Sequence, residues 1–377
     1  MADYQGFSEA VPGGCAVMSP GERLKALLTP IRKGSAPSSA WLTVPDDHLP
    51  DQGPSEASFV ADAHYFVVRV RQMHLAASRQ WFATYDPLLF VQTEFSYDGG
   101  RRSEPFVAGP DTLHKRAQGA PTPAGVNITD LQATGVRPYR GGDIELSVVL
   151  CRNKTKDAAR RLLSIAERCL ALPQLAAVAT VAGGAAAALP YVRVADAGLD
   201  ALEAVLGLDE DVVPMLGSLH GFDSVAGIKP GWFVLAQAGT LKQEQLWVRD
   251  GRLWYGPDSD RLVEPAADFV LCSLGRATMR DDATQLSGFQ QQWKSVLSYA
   301  NQASDESWEV AKALLAGLRL SLLTSADLTS GQARELARQY QAQMVAVHEE
   351  AVRGSLLDAD AGVPDPLIRS VAAIMAL

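Results

Sequence analysis

Between Ile144 and Leu170 the hydrophobic period of this chain changes from two to about 3.6, and the change separates what can fold as sheet from what can fold as helix. Before it, Phe66, Val68 and Val70 alternate with Tyr65, Val67, Arg69 and Arg71. Leu88 to Tyr97 sets Leu89, Val91, Thr93, Phe95 and Tyr97 on one face, as a strand with one buried side requires. Arg79 to Tyr85 is a shorter run of the same kind. Asp98-Gly99-Gly100 reads as a hairpin turn with a return strand within Glu104 to Ala108, because glycine tolerates the positive φ of such turns. Residues 109–125 read as a long loop, and Val126 to Thr134 and Asp143 to Cys151 as two further strands. Antiparallel strands separated by turn signals predict a β-sandwich-like domain.

After Cys151, Ala158, Leu162, Ala166, Cys169 and Leu170 form a helical stripe with Arg160, Arg161 and Glu167 outside it. Cys169 to Val192 then carries no charged side chain and is rich in alanine and glycine. It has the length to cross a bilayer, but small side chains gain little from lipid and favour close packing inside a protein. A helix over Leu175 to Leu189, packed in the core, is the expectation. Further on, Gln245 to Arg249, Asp250-Gly251 and Arg252 to Tyr255 predict a hairpin with Trp247 across from Trp254. Trp232 to Ala236 and Phe269 to Leu274 complete a second β region, able to join the first sheet or to form its own. Phe289 to Ala303, Ser307 to Leu323 and Gly331 to Arg353 show helical spacing, the last capped by Ser330, with Ala337, Tyr340, Met344, Val347 and Ala351 as its apolar stripe.

The expected class is therefore α+β. An arm with one short helix, capped at Ser19, spans 1–54; a mostly antiparallel β domain spans 55–152. A helical, Ala/Gly-rich connector follows over 153–220, then a small β-meander over 221–280 and a helical bundle over 281–377. A chain of 377 residues is long for a single core, which agrees with several units.

A net charge of −9 gives no basic face for nucleic acid, so no nucleic-acid partner is expected. Four cysteines, Cys15, Cys151, Cys169 and Cys272, show no metal spacing, and Met1 to Pro12 has no signal-peptide pattern. A cytoplasmic protein with free thiols is expected. The abundance of alanine, glycine and arginine fits a bacterial host by association only.

No P-loop, nucleophile elbow or HExxH is present. Cys151 is a weak catalytic candidate, because Arg152 and Lys154 beside it would favour a thiolate; a small core residue is the plainer reading. His348-Glu349-Glu350 lacks a later ligand at helical spacing and reads as a solvated face. Asp46, Asp47 and Asp51, and Asp258 with Asp260, lack the spacing of a calcium loop and read as turn residues. No metal or cofactor is expected. The most specific loop is Tyr139-Arg140-Gly141-Gly142-Asp143, a tight turn whose Tyr139, Arg140 and Asp143 are candidate interaction residues. These features favour a non-catalytic component of a bacterial multi-protein system, of the defence or toxin-control kind, with another protein as partner. The alternatives are a membrane-active effector that releases residues 169–192 and a cysteine-dependent hydrolase built on Cys151.

Overall fold

The structure, a computed structural model, describes residues 38–49, 57–76, 86–109, 126–153, 192–193 and 212–361. The expected helices after Ser19, at 157–170, at 175–189 and at 199–208, the run Arg79 to Tyr85, most of the loop 109–125, the tail from Pro364, and Cys15 and Cys169 lie outside these residues.

The described strands are β1 (Ser39–Thr43), β2 (Tyr65–Leu75), β3 (Asp86–Tyr97), β4 (Gly100–Ala108), β5 (Val126–Gln132), β6 (Arg137–Pro138), β7 (Ile144–Asn153), β8 (Val192–Arg193), β9 (Val212–Phe222), β10 (Gly231–Gln237), β11 (Leu246–Arg249), β12 (Arg252–Tyr255) and β13 (Phe269–Ala277). Three helices follow: α1 (Ser287–Ala300), α2 (Asp305–Leu323) and α3 (Ser330–Ala361). The class is mixed, with antiparallel sheets and helices. One sheet runs β1-β10-β13-β2-β5, with β6 also beside β2; another runs β8-β4-β3-β7-β9; β11 and β12 pair alone.

Side chains from the two large sheets meet in one apolar core. Phe66, Val68 and Val70 of β2 share it with Leu89, Val91 and Phe95 of β3. Phe66 lies edge to face on Phe95, with ring centres 5.0 Å apart. The alternation of β2 then slips. Val70 pairs with Cys272 and Gln72 with Leu271, so Arg71 is an extra residue. This bulge returns Met73 and Leu75 to the core and turns Gln72 and His74 to the other face. There Gln72 accepts a hydrogen bond from the Leu253 N–H at 2.7 Å and donates to Asn127 at 2.7 Å.

The outer face of the first sheet is covered by the hairpin β11–β12. Leu246, Val248 and Leu253 pack on Trp232, Val234 and Phe269. Its turn has φ of 50° at Asp250 and 72° at Gly251, and Trp247 pairs with Trp254 as the sequence predicts.

Several expectations need correction. The second β region is not a separate meander, since β10 and β13 lie inside the first sheet. The end of the expected helical connector, from Val212 to His220, lies in strand β9. Pro214 hides it from a pattern search. It is tolerated because β9 is an edge strand, and a bulge at Met215 shifts the register there. Strand β4 begins at Gly100, not near Glu104, because Asp98-Gly99 alone closes the turn. Thr329, not Ser330, caps α3, accepting from the Gln332 N–H at 3.4 Å. His348 is no solvated face: it stacks on Trp308 at 4.1 Å and donates to the carbonyl of Ala300 at 3.2 Å, at the end of α1.

The helices pack as a unit. Leu318, Leu322, Leu336, Ala337 and Tyr340 form one cluster, and Val296, Ala300, Ala311 and Met344 a second. Ser304 caps α2 by accepting from the Ser307 N–H, with Asp305 and Glu306 in the first turn, where the helix dipole favours negative charge. Among the described residues no helix is long and apolar enough to cross a membrane.

Candidate functional site

The turn Tyr139 to Asp143 follows β6 and precedes β7, which brings it against the segment joining α2 to α3. Tyr139 is buried, packs against Phe59 with ring centres 5.6 Å apart, and donates from its hydroxyl to the Gly142 carbonyl at 3.1 Å. Burial, and then the nearby Asp143 charge, push its pKa up. Gly141 and Gly142 have φ of 84° and 76°. A Cβ on Gly142 would come 2.7 Å from Ser96 Oγ, so glycine is required both by conformation and by the close approach to β3. Asp143 accepts from the hydroxyl and the N–H of Ser224, at 2.6 Å and 2.8 Å, and these bonds hold its carboxyl below the usual range.

Arg140 reaches the other way. It pairs with Asp62 and donates to the carbonyls of Ser325, Ala326 and Leu328 at 3.1, 3.3 and 2.7 Å. These carbonyls follow the end of α2, where backbone acceptors lack helical partners. Ser330 at the start of α3 also donates to Asp62. Two arginines that the sequence did not single out complete the joint. Arg137 pairs with Glu104 at 2.6 Å and Asp327 at 2.7 Å. Burial works against its charge, but Glu104 and then Asp327 hold its pKa above the ordinary value. Arg280 pairs with Asp282 at 2.7 Å and donates to the Asp327 carbonyl at 3.2 Å, while Gln332 bonds both backbone groups of Arg280. Tyr65 accepts from the Thr329 N–H at 2.8 Å. The candidate loop is therefore a clamp that seats the helices on the sheets.

A cleft of about 630 Å³ lies beside the clamp, between the β3–β4 turn and the end of α2. Its walls include Asp98, Arg101, Arg140, Leu323 and Ser325. Both visible walls are already committed to internal bonds: Arg101 pairs with Glu145 at 3.3 Å, and Arg140 with the joint.

Cys151 is buried, and burial pushes its thiol pKa up to about 12. Burial thus works against the thiolate that a nucleophile needs, while Lys154 lies outside the described residues. Cys272 is also buried, with its pKa pushed up by the same cause. Asp258 accepts from the Asp260 N–H at 3.2 Å, a turn role, and among the described residues no three His, Cys, Asp or Glu side chains are placed to hold a metal ion.

Single apolar side chains such as Val225, Val263 and Val60 are exposed in loops, and the helices carry several more. Leu320 of α2 is 64% exposed and Leu323 43%. A hollow of about 260 Å³ lies between α2 and α3, edged by Leu323, Arg319, Arg334 and Arg338, and a shallow one of about 480 Å³ adjoins it along α3, beside Val345 and Arg338. The sequence held a signal for this surface: α2 is apolar on its outer side as well as its buried one, which a helix covered on one side does not need. No family model, curated protein or solved structure matches the chain.

Proposed function

We propose that this chain is a non-catalytic interaction component that presents its helices to another protein, in a cytoplasmic bacterial assembly of the defence or toxin-control kind. In this reading the two large sheets form a sandwich-like base, and the arginine clamp fixes the helices on it. The observation that carries the reading is the α2–α3 groove, where Leu323 is exposed among Arg319, Arg334 and Arg338, with exposed Val345 continuing the surface along α3, on a chain of net charge −9. Arg319 and Arg334 pair with no carboxylate among the described residues, whereas Arg338 pairs with Glu335 at 2.6 Å. Apolar contacts ringed by arginine suit an acidic amphipathic helix, because arginine contributes both charge and contact area. The buried Cys151 argues against the hydrolase alternative, and the segment 169–192 of the effector alternative lies outside the described residues.

The test is affinity capture from the host with the whole chain and with Val345→Glu/Arg338→Glu. Wild type should enrich an acidic partner, identified by mass spectrometry, and the variant should lose it while keeping the wild-type melting temperature. Equal capture by both chains would sink the reading.

A further inference from the structure

No apolar cluster formed by the described residues contains side chains from both the sheets and the helices. The two parts meet at the short segment 325–330, and the bonds that cross there are polar. Arg140 donates to three of its carbonyls, Arg137 pairs with Asp327, the Thr329 N–H donates to Tyr65, and Ser330 donates to Asp62. To one side the contact ends, and the cleft of about 630 Å³ separates the β3–β4 turn from Leu323. Among the described residues, one stretch of chain also joins the parts covalently. Its sheet side is fixed as far as Ala277, which pairs with Tyr65. Its helix side is fixed from Arg280, whose two backbone groups both bond to Gln332 of α3. Thr278 and Met279 between them are exposed and belong to no strand or helix.

We infer that α1, α2 and α3 are a hinged arm, which leaves the sheets as one folded body and turns at Thr278 and Met279 when the segment 325–330 is released. The arm has its own apolar clusters, so it holds together without the sheets. A large apolar contact is what keeps two parts of a chain from moving, and the joint has none. The charges are also sorted so that release strands none of them. On the sheet side Arg140 keeps Asp62, and Arg137 keeps Glu104. On the helix side Arg280 keeps Asp282 at 2.7 Å and stays 4.0 Å from Asp327. The freed carbonyls turn to water. Opening therefore avoids the penalty of a buried charge left without its partner. Leu323 lines both the cleft and the groove, so the position of the arm sets how far the β3–β4 turn stands from the groove.

The inference goes beyond the groove reading and is tested on the free chain, so a failed capture leaves it untouched. Electron-spin distances between nitroxides at Lys242→Cys, before β11, and Lys312→Cys, on α2, report the arm against the sheets. Cys15→Ser and Cys169→Ser remove two thiols, while Cys151 and Cys272 are buried and stay unlabelled. The otherwise unaltered chain should show one main distance, with a second in about a tenth of molecules or fewer. Arg140→Met/Asp62→Asn should raise the second distance to roughly half or more. Asp62→Asn alone should fall between, since asparagine tolerates the φ of 60° at that position. A pair within the arm, Lys312→Cys with Gln343→Cys, should keep one distance throughout. The main distance alone in Arg140→Met/Asp62→Asn overturns the inference. So does a changed distance within the arm, which would mean that the helices separate instead of swinging.

Discussion

Between the sheets, Phe66 meets Phe95 edge to face at 5.0 Å; beneath the helices, Arg137 meets Glu104 at 2.6 Å. Both arginine and phenylalanine are withdrawn from water, yet their contacts have different consequences. The first region contains apolar rings and branched chains, whose burial is non-directional and proportional to area. The second is a set of charged hydrogen bonds whose desolvation cost offsets much of their attraction. A dry contact tolerates small shifts at modest cost. A polar joint has one geometry, and it fails when a single partner is removed.

The largest effect should fall on the dry region. Phe66→Ala removes a fully buried ring and should lower unfolding free energy by about 4 kcal/mol, read as a lower urea midpoint across the sheets. A loss below about 1 kcal/mol would mean that the two sheets do not share a cooperative core.

Arg137→Ala should cost about 3 kcal/mol, because it leaves Glu104 buried with only the half-buried Arg102 at 3.2 Å and takes a partner from Asp327. Its signature should be local. Hydrogen exchange should rise in the segment joining α2 to α3 while β3 and β7 stay protected. Arg137→Met with Glu104→Leu should recover much of the loss, since the buried carboxylate leaves together with its main partner. If the single change unfolds sheets and helices together, the joint is part of the core and the contrast between the regions collapses.

That contrast also decides what could be read from sequence. Strand β3, the Asp250-Gly251 hairpin and the three C-terminal helices were legible because period and turn chemistry are local. The bulge at Arg71 was not, since one extra residue is visible only against the partner strand. The pairing of β10 and β13 with β1 and β2 was equally hidden, because it joins residues about 200 positions apart. Of the site, the turn Tyr139 to Asp143 stood out by its glycines, but its role as a clamp depends on Asp62 and on carbonyls beyond Leu323. Arg137 carries no local signal; it lies in strand β6, and its partners Glu104 and Asp327 are set by the fold alone.

The smallest predicted effect uses pH to address the two regions in turn. His220 of β9 lies among the rings of Trp41, Phe222 and Phe233, and burial lowers its pKa from 6.5. The fold therefore prefers the neutral ring. Its contribution is fully present above about pH 6.5 and is lost as pH falls through the lower folded value. In the joint, Asp282 is lowered from 3.8 chiefly by its hydrogen bond to Arg280, so its contribution persists until pH falls below about 4. Asp268, raised by burial, opposes that second loss. Melting temperature measured from pH 7.5 to 5 should fall by a few degrees in the wild type and stay flatter in His220→Phe, which keeps an apolar ring in the same pocket. Below pH 4 both proteins should loosen alike, with exchange rising first at the segment joining α2 to α3. An equal slope in both proteins above pH 5 would show that His220 is not the group that titrates.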